Sequence, residues 1–271
     1  MLRVHNLRLL DYLRHSYTAA DVRRLLDFLR SQGTFDLPAL PSGLFPAAHL
    51  PGGEKSVYTS VWLRDTAHVA HALHLDGQTE AAARAVAGLM TFFATQLPRI
   101  GEILAGRIDP ADPMLRPHIR FDGARLAELD ERWAHAQNDA LGYLLWITAR
   151  LLHDGPLPAT DDTCRCLAAT VLFLDKIEFW RDEDSGHWEE TRKRSASSIG
   201  AATAGLAALL RIVDRPDVAK RLHFADRQVT VAELDRLIRN GLELLVVHPG
   251  HIVGPLESLN PAPHKYRRPD D

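Results

Sequence analysis

The stretch SASSIGAATAGLAALL, Ser195 to Leu210, runs sixteen residues without a charge and is built almost wholly of small and aliphatic side chains. It falls short of the roughly 20 apolar residues that cross a bilayer, so it predicts a buried helix. A helix that is apolar on every side needs protein on every side. The segment 136–153 has the same character, whereas 18–31 and 230–246 keep a clear polar side. Two grades of helix predict two concentric layers, as in a toroid of helical hairpins whose inner helices are covered by outer ones.

Outward from that stretch, apolar residues recur at three- and four-residue intervals, and alternating strand patterns are scarce. The fold class is all-α, with helices expected over 18–31, 61–75, 79–97, 136–153, 161–180, 196–213 and 230–246. Leu37 to Gly53 breaks the pattern with four prolines and three glycines. Pro98 to Arg132 reads as a long, turn-rich loop, and long loops in compact domains are often functional. Residues 1–271 are taken as a single domain. Pro249 to Asp271 is proline-rich and ends on charged residues with no helix after it, so the toroid is expected to be incomplete at its C-terminus.

The chain is 46% hydrophobic and 25% charged, the balance of a soluble globular protein. With a net charge of −3 and basic residues spread throughout, it lacks the positive stripe that a phosphate backbone demands. No nucleic-acid partner and no membrane span are expected. Met1 to Tyr17 has neither a continuous apolar core nor a small-residue cleavage site, which disfavours secretion. The two cysteines, Cys164 and Cys166, point to different faces of a helix and read as reduced thiols. Together these features predict a cytoplasmic protein.

Three segments could carry chemistry. In Tyr58-Thr-Ser-Val-Trp62-Leu-Arg64-Asp65 a loop enters a helix whose first turn presents an aromatic ring, a cation and a carboxylate. Such sets bind sugars: the ring packs on the apolar face of a pyranose while Arg64 and Asp65 make charge-assisted hydrogen bonds to hydroxyls. An ordinary helix-start ion pair would look the same locally. Trp133-Ala-His135-Ala-Gln137-Asn138-Asp139 repeats the device, although Asn138 or Asp139 could equally serve as a helix cap.

In the third segment, Phe179-Trp180-Arg-Asp-Glu-Asp-Ser-Gly186-His187-Trp188-Glu189-Glu190, a Glu beside an aromatic wall suits a general acid for glycosidic cleavage. Glu190 would help hold substrate; a solvated Glu-Glu loop is the alternative. His68, His71 and His74 drift around their helix with no carboxylate at a matching step, so no metal is expected. The sequence has no phosphate-cradling glycine motif and no nucleophile elbow, and no cofactor is expected.

Taken in order, Ser42-Gly-Leu-Phe-Pro46, Trp62-Leu-Arg-Asp65, Trp133-Ala-His-Ala-Gln-Asn-Asp139, Trp188-Glu-Glu190 and Ser197-Ser-Ile-Gly200 resemble glycoside hydrolase family 15, the glucoamylases, and the related domain of phosphorylase kinase regulatory subunits. The resemblance implies a six-hairpin (α/α) toroid and inverting hydrolysis of α-glucosides or oligosaccharides. Residue by residue, it implies that Arg64 and Asp65 grip the glucosyl unit and that Trp133 stabilises the transition state. Glu189 matches the general acid, Glu190 a substrate-binding carboxylate, and Asp139 a residue of the same cleft wall. Trp62, Gln137 and Trp188 belong to the same expected substrate site.

His135 stands where glucoamylases usually carry Arg, and Asp184 to Glu190 is closer to the phosphorylase kinase branch. A non-catalytic carbohydrate-binding or regulatory module is therefore the alternative. The family's general base lies in its late helices, where this sequence shows no matching motif, and Glu257 is not read as that base. Helix faces left open by an incomplete ring are expected to favour self-association.

Overall fold

A computed structural model describes residues 5–48, 59–189 and 191–247. Glu190, Glu257 and the loop before Thr59 lie outside the described residues. The chain forms two compact units, Met1–Pro38 and Ala39–Asp271. The first holds a 3-10 turn, Leu7–Tyr12, and helix α1, Ala19–Ser31. A reciprocal cap starts α1: the Asp21 N–H donates to the Thr18 hydroxyl at 3.2 Å and the Thr18 N–H to the Asp21 carboxylate at 3.0 Å. Within the same unit Tyr12 stacks on the buried Phe28.

The second unit is helical, with α2 (Leu63–Leu75), α3 (Thr79–Leu104), α4 (Asn138–Asp154), α5 (Asp161–Lys176), α6 (Ala196–Leu210), the short α7 (Pro216–Ala219) and α8 (Val231–Val247). Every helix expected from periodicity is present, and three differ in extent, α6 by ending at Leu210 rather than at residue 213. α3 runs past Pro98 to Leu104, because Leu97, Ile100 and Ile103 keep the buried stripe continuous across the one N–H that proline removes. α5 stops at Lys176 rather than reaching Trp180, because Glu178 turns to a positive φ of 49°. Two two-residue antiparallel pairs also form, β1 (Val61–Trp62) with β2 (Arg120–Phe121) and β3 (His223–Phe224) with β4 (Arg227–Gln228). The loop expected over 98–132 is thus shortened at its start by α3 and pinned at 120–121.

α2, α4 and α6 are successive neighbours, while α3 and α5 pack on each other behind them and α8 lies against α6. This is the layered (α/α) toroid arrangement. α4 and α6 approach backbone to backbone: a Cβ added at Gly142 would sit 2.4 Å from the Ala201 carbonyl, and one at Gly205 would sit 2.3 Å from the Gly142 oxygen. The small-residue run of α6 is therefore an interface requirement. Among the described residues no helix is long and apolar enough to cross a membrane. Both cysteines are free and buried.

Candidate active site

The first turns of α2, α4 and α6 meet at one end of the helical unit. β1 guides the chain into α2: Trp62 pairs with Arg120 across the ribbon, and the Leu63 N–H donates to the Ile119 carbonyl at 2.9 Å. None of these three helices has a side-chain cap from its own N-cap residue, Trp62, Gln137 or Ser195. The first N–H of α2 is met instead by a backbone carbonyl, and that of α4 by a side chain distant in sequence. The latter is the Asn138 N–H, which donates to Asp184 Oδ2 at 2.8 Å.

One side of the site is ionic. The buried Arg64 guanidinium donates from Nη1 to Asp139 Oδ2 at 2.7 Å and to Gln137 Oε1 at 3.0 Å, and from Nη2 to the His187 carbonyl at 3.1 Å. His187 Nδ1 lies 3.0 Å from the same Asp139 oxygen. Burial alone would push the Asp139 carboxyl up, but His187 and the Arg64 charge outweigh it and hold the group below the usual carboxylate range. The His187 ring stands edge-on to Tyr143, which in turn meets His68. Burial holds His68 below the ordinary imidazole value.

The other side is aromatic and carries Glu189. Its Oε1 accepts from Trp133 Nε1 at 3.2 Å and from Gln137 Nε2 at 3.1 Å. The Gln137 amide therefore links the two halves, accepting from Arg64 with its oxygen and donating to Glu189 with its nitrogen. Glu189 has a positive φ of 54°, uncommon for a residue with a Cβ, at the end of a turn closed by its N–H on the Gly186 carbonyl. Trp133 meets Trp62 edge to face at 5.3 Å between centroids. Beyond Glu189 a groove of about 440 Å³ opens between Asp112, Pro113, Met114, Arg132, Trp133 and Ala134.

The loop that presents Glu189 is anchored at its base. Asp184 and Lys193 exchange backbone hydrogen bonds, and the Ser185 N–H donates to the Ala136 carbonyl at 2.7 Å. Arg116 grips Asp182 with two bonds of 2.7 Å, and Asn138 Nδ2 donates to the same carboxylate at 2.9 Å. Burial, reinforced by the nearby Asp139 and Asp182 charges, pushes the Asp184 carboxyl up to about 7, against the Asn138 N–H and the facing Ser198 hydroxyl. Ser198 faces Asp184 without closing a well-formed bond, and Asp184 Oδ1 is likewise unmatched among the described residues.

The structure thus brings Trp62, Arg64, Trp133, Gln137, Asp139 and Glu189 together. Asp65 is exposed beside Arg64 in the first turn of α2. Asn138 and Asp139 are not capping residues: they lie inside the first turn of α4, buried, with partners on other segments. Trp188 is 64% exposed, so the ring that reaches Glu189 is Trp133 rather than its sequence neighbour. His135 is buried, stacked 3.7 Å from His118, and its Nδ1 accepts the Ile119 N–H. Burial holds it down to about 3, and it braces β2 as a neutral ring.

His187, Asp184, Tyr143, Arg116 and Arg120 were not singled out by sequence reasoning. His187 and Asp184 carried a signal only as members of the third segment, without a role of their own; the others owe their place to contacts made across the fold.

Comparison with known proteins agrees with the fold. The family model described as glycosyl hydrolases family 15 matches residues 37–233. The uncharacterized lipoprotein YgeQ of Escherichia coli (strain K12) is 29% identical over 205 residues, 68% of this chain and 78% of that protein. A wild-type glycosidase superposes with a TM-score of 0.65 at 21% identity, covering 85% of this chain and 59% of that one. A glycosidase solved in complex with glucose gives the same values. The glucoamylase from Saccharomycopsis fibuligera has a TM-score of 0.59 at 15% identity, covering 87% of this chain and 52% of that one. At these identities the structural likeness speaks to the fold, and the chain spans little more than half the length of those solved proteins. With a family match over most of its length, this chain belongs to glycosyl hydrolases family 15 as a glycosidase-type domain of glucoamylase-like (α/α) toroid fold.

Proposed function

We propose that this cleft binds the terminal glucosyl unit of an α-glucoside or oligosaccharide and that Glu189 donates the proton to its leaving oxygen in an inverting hydrolysis. The observation that carries the proposal is the Gln137 bridge, which sets the Arg64–Asp139 pair and the Glu189 carboxyl at fixed positions on one wall. Arg64 and the exposed Asp65 supply hydrogen bonds to sugar hydroxyls, and the Trp62–Trp133 pair supplies an apolar face. The Trp133 and Gln137 N–H groups on Oε1 fix the orientation of the Glu189 carboxyl. Inversion also needs a second carboxylate roughly 6.5–9.5 Å away to activate water. In this proposal that group comes from outside the described residues.

A module that binds sugar without cleaving it is the second reading. It is favoured by one contrast: the binding wall is built wholly from described residues, whereas the water-activating carboxylate is assigned to none of them. One experiment separates the two. Glucose and maltose are titrated calorimetrically while anomeric products are followed by NMR. Hydrolysis with inversion, lowered about 10²–10⁴-fold in Glu189→Gln with binding retained, supports the enzyme. Saturable binding unchanged by Glu189→Gln, with no turnover, supports the module. Absence of glucose and maltose binding by the wild-type chain overturns both.

A further inference from the structure

We infer that Arg120, outside the sugar-contacting set, is a positioning residue that fixes the ring of Trp133 and, through it, the carboxyl of Glu189. This rests on the proposed role of Glu189 for its catalytic consequence, and on geometry alone for its structural one. Arg120 stands on β2 directly across from Trp62, and alternation along the strand sends its neighbour Phe121 the other way, stacked 3.6 Å on Phe92 of α3. β2 is thereby nailed to the core on one face while its other face delivers a cation to the site.

That cation is only 2% exposed. Its guanidinium carbon lies 4.3 Å from the Trp133 ring centroid and 6.0 Å from that of Trp62. Cations held over indole faces at this range are attracted by the ring quadrupole, and a planar guanidinium also stacks. Its orientation is set from the far side, where Nη1 pairs with Glu131 Oε2 at 2.9 Å and Nη2 donates to Ser60 Oγ at 3.3 Å. The two indoles stand perpendicular, so a flat group over Trp133 and beside Trp62 restricts rotation of the pair. Trp133 in turn spends its single N–H on Glu189 Oε1. The chain of contact thus runs Glu131, Arg120, Trp133, Glu189, from an exposed carboxylate to the proposed acid.

The test uses the full chain and reads the ring pair directly. Two perpendicular indoles 5.3 Å apart give a coupled near-ultraviolet circular dichroism signal. Arg120→Met is expected to change that signal while far-ultraviolet helicity is kept, and the change should vanish in a Trp133→Phe background. Arg120→Lys keeps the charge but not the plane, and should restore little of it. Glu131→Gln, on an exposed side chain that leaves the core untouched, should shift the signal the same way to a smaller extent, which covers the case in which Arg120→Met does not fold. If the wild-type chain turns over glucosides, Arg120→Met should lower kcat about tenfold or more with KM within about twofold, since misplacing a catalytic group costs rate rather than affinity. A near-ultraviolet signal unaltered by both Arg120→Lys and Glu131→Gln, or altered equally without Trp133, overturns the inference. Absence of turnover in the wild type counts against the proposed function and leaves the spectroscopic result standing.

Discussion

Helices α1, α5 and α8 begin differently from α2, α4 and α6. In the first group a threonine caps the helix from its own sequence: Thr18 receives the N–H of Asp21, Thr160 that of Thr163, and Thr230 that of Glu233, with Asp21 and Glu233 reaching back to close the box. In the second group no N-cap side chain does so, and the first turns are met by residues from other segments. Of the helices away from the cleft, α1, α5 and α8 are closed locally, whereas α3 and the short α7 have no side-chain cap either. The helices that point at the cleft leave their starts open to groups brought in by the fold, which costs local stability and creates a place for a polar ligand.

The contrast would break most visibly at Arg64. Arg64 and Asp139 are 10% and 0% exposed in their side chains, so Arg64→Met would leave a buried carboxylate with only His187 beside it. Removing one partner of a buried pair typically costs about 3–5 kcal/mol. Urea unfolding should show a loss of that size, together with loss of glucose binding. A cost below about 1 kcal/mol would mean that the α2 and α4 starts do not depend on each other.

Asp184 gives the next effect, and it has a sign. Its carboxyl titrates near 7 in the fold against an ordinary 3.8, so between those values the folded chain holds a proton that the unfolded chain has lost. Its contribution to stability therefore falls as pH rises from about 4 to about 7, and the penalty is complete above that, on the order of a few kcal/mol. Asp184→Asn keeps an oxygen for the Asn138 N–H and removes the proton equilibrium. The variant should match the wild type near pH 4 and exceed it in melting temperature at pH 8. Buried His135 acts in the opposite direction, losing stability as pH falls below about 6.5, so the informative quantity is the difference between the two proteins across pH. Parallel melting curves from pH 4 to 8 would remove Asp184 as the titrating group.

The same contrast explains what could be read from the sequence. Capped starts and apolar stripes are local, so all the long helices were legible, and the uncharged run Ser195 to Leu210 announced a helix, although not one enclosed on every side: the stripe through Gly200, Ala204 and Ala208 is only partly covered, and Ala204 is exposed. The clusters at Trp62 and Trp133 were legible as candidates because aromatic and acidic residues gathered where a helix begins, and that at Trp188 because they gathered in the loop before α6. Their partners were not. Arg64 meets Gln137, Asp139 and His187 across 73, 75 and 123 residues, and the carboxylate held by Arg116 is 66 residues away. Periodicity and capping rules look a few residues ahead and cannot see such pairs. Trp188 misled for the same reason: adjacency in sequence to Glu189 was mistaken for adjacency in space, where Trp133 holds that place.

Thr160→Ala tests the locally capped side. It removes the acceptor for the Thr163 N–H and a side-chain bond to the Thr163 hydroxyl, at the end of α5 that follows the α4 turn at Gly155. The expected loss is about 1 kcal/mol, the usual cost of an N-cap threonine, with no change in glucose affinity. A change in affinity without one in stability would show that the two kinds of helix start are coupled after all.

Ser195→Ala should have the smallest effect, and the smallness is the point. Serine in the N-cap position normally contributes about 1 kcal/mol by accepting from the second or third residue of its helix. In α6 the Ser195 hydroxyl makes no such bond and instead pairs with the Ser197 hydroxyl at 2.8 Å. Ser197 is only partly buried, so its hydroxyl can turn to water once the partner is gone. Removing the Ser195 hydroxyl should therefore cost less than about 0.5 kcal/mol, below the ordinary N-cap value, by urea unfolding at pH 7. A loss of a full kilocalorie or more would mean that this hydroxyl caps α6 in solution, placing α6 with the locally closed helices and leaving only α2 and α4 open toward the cleft.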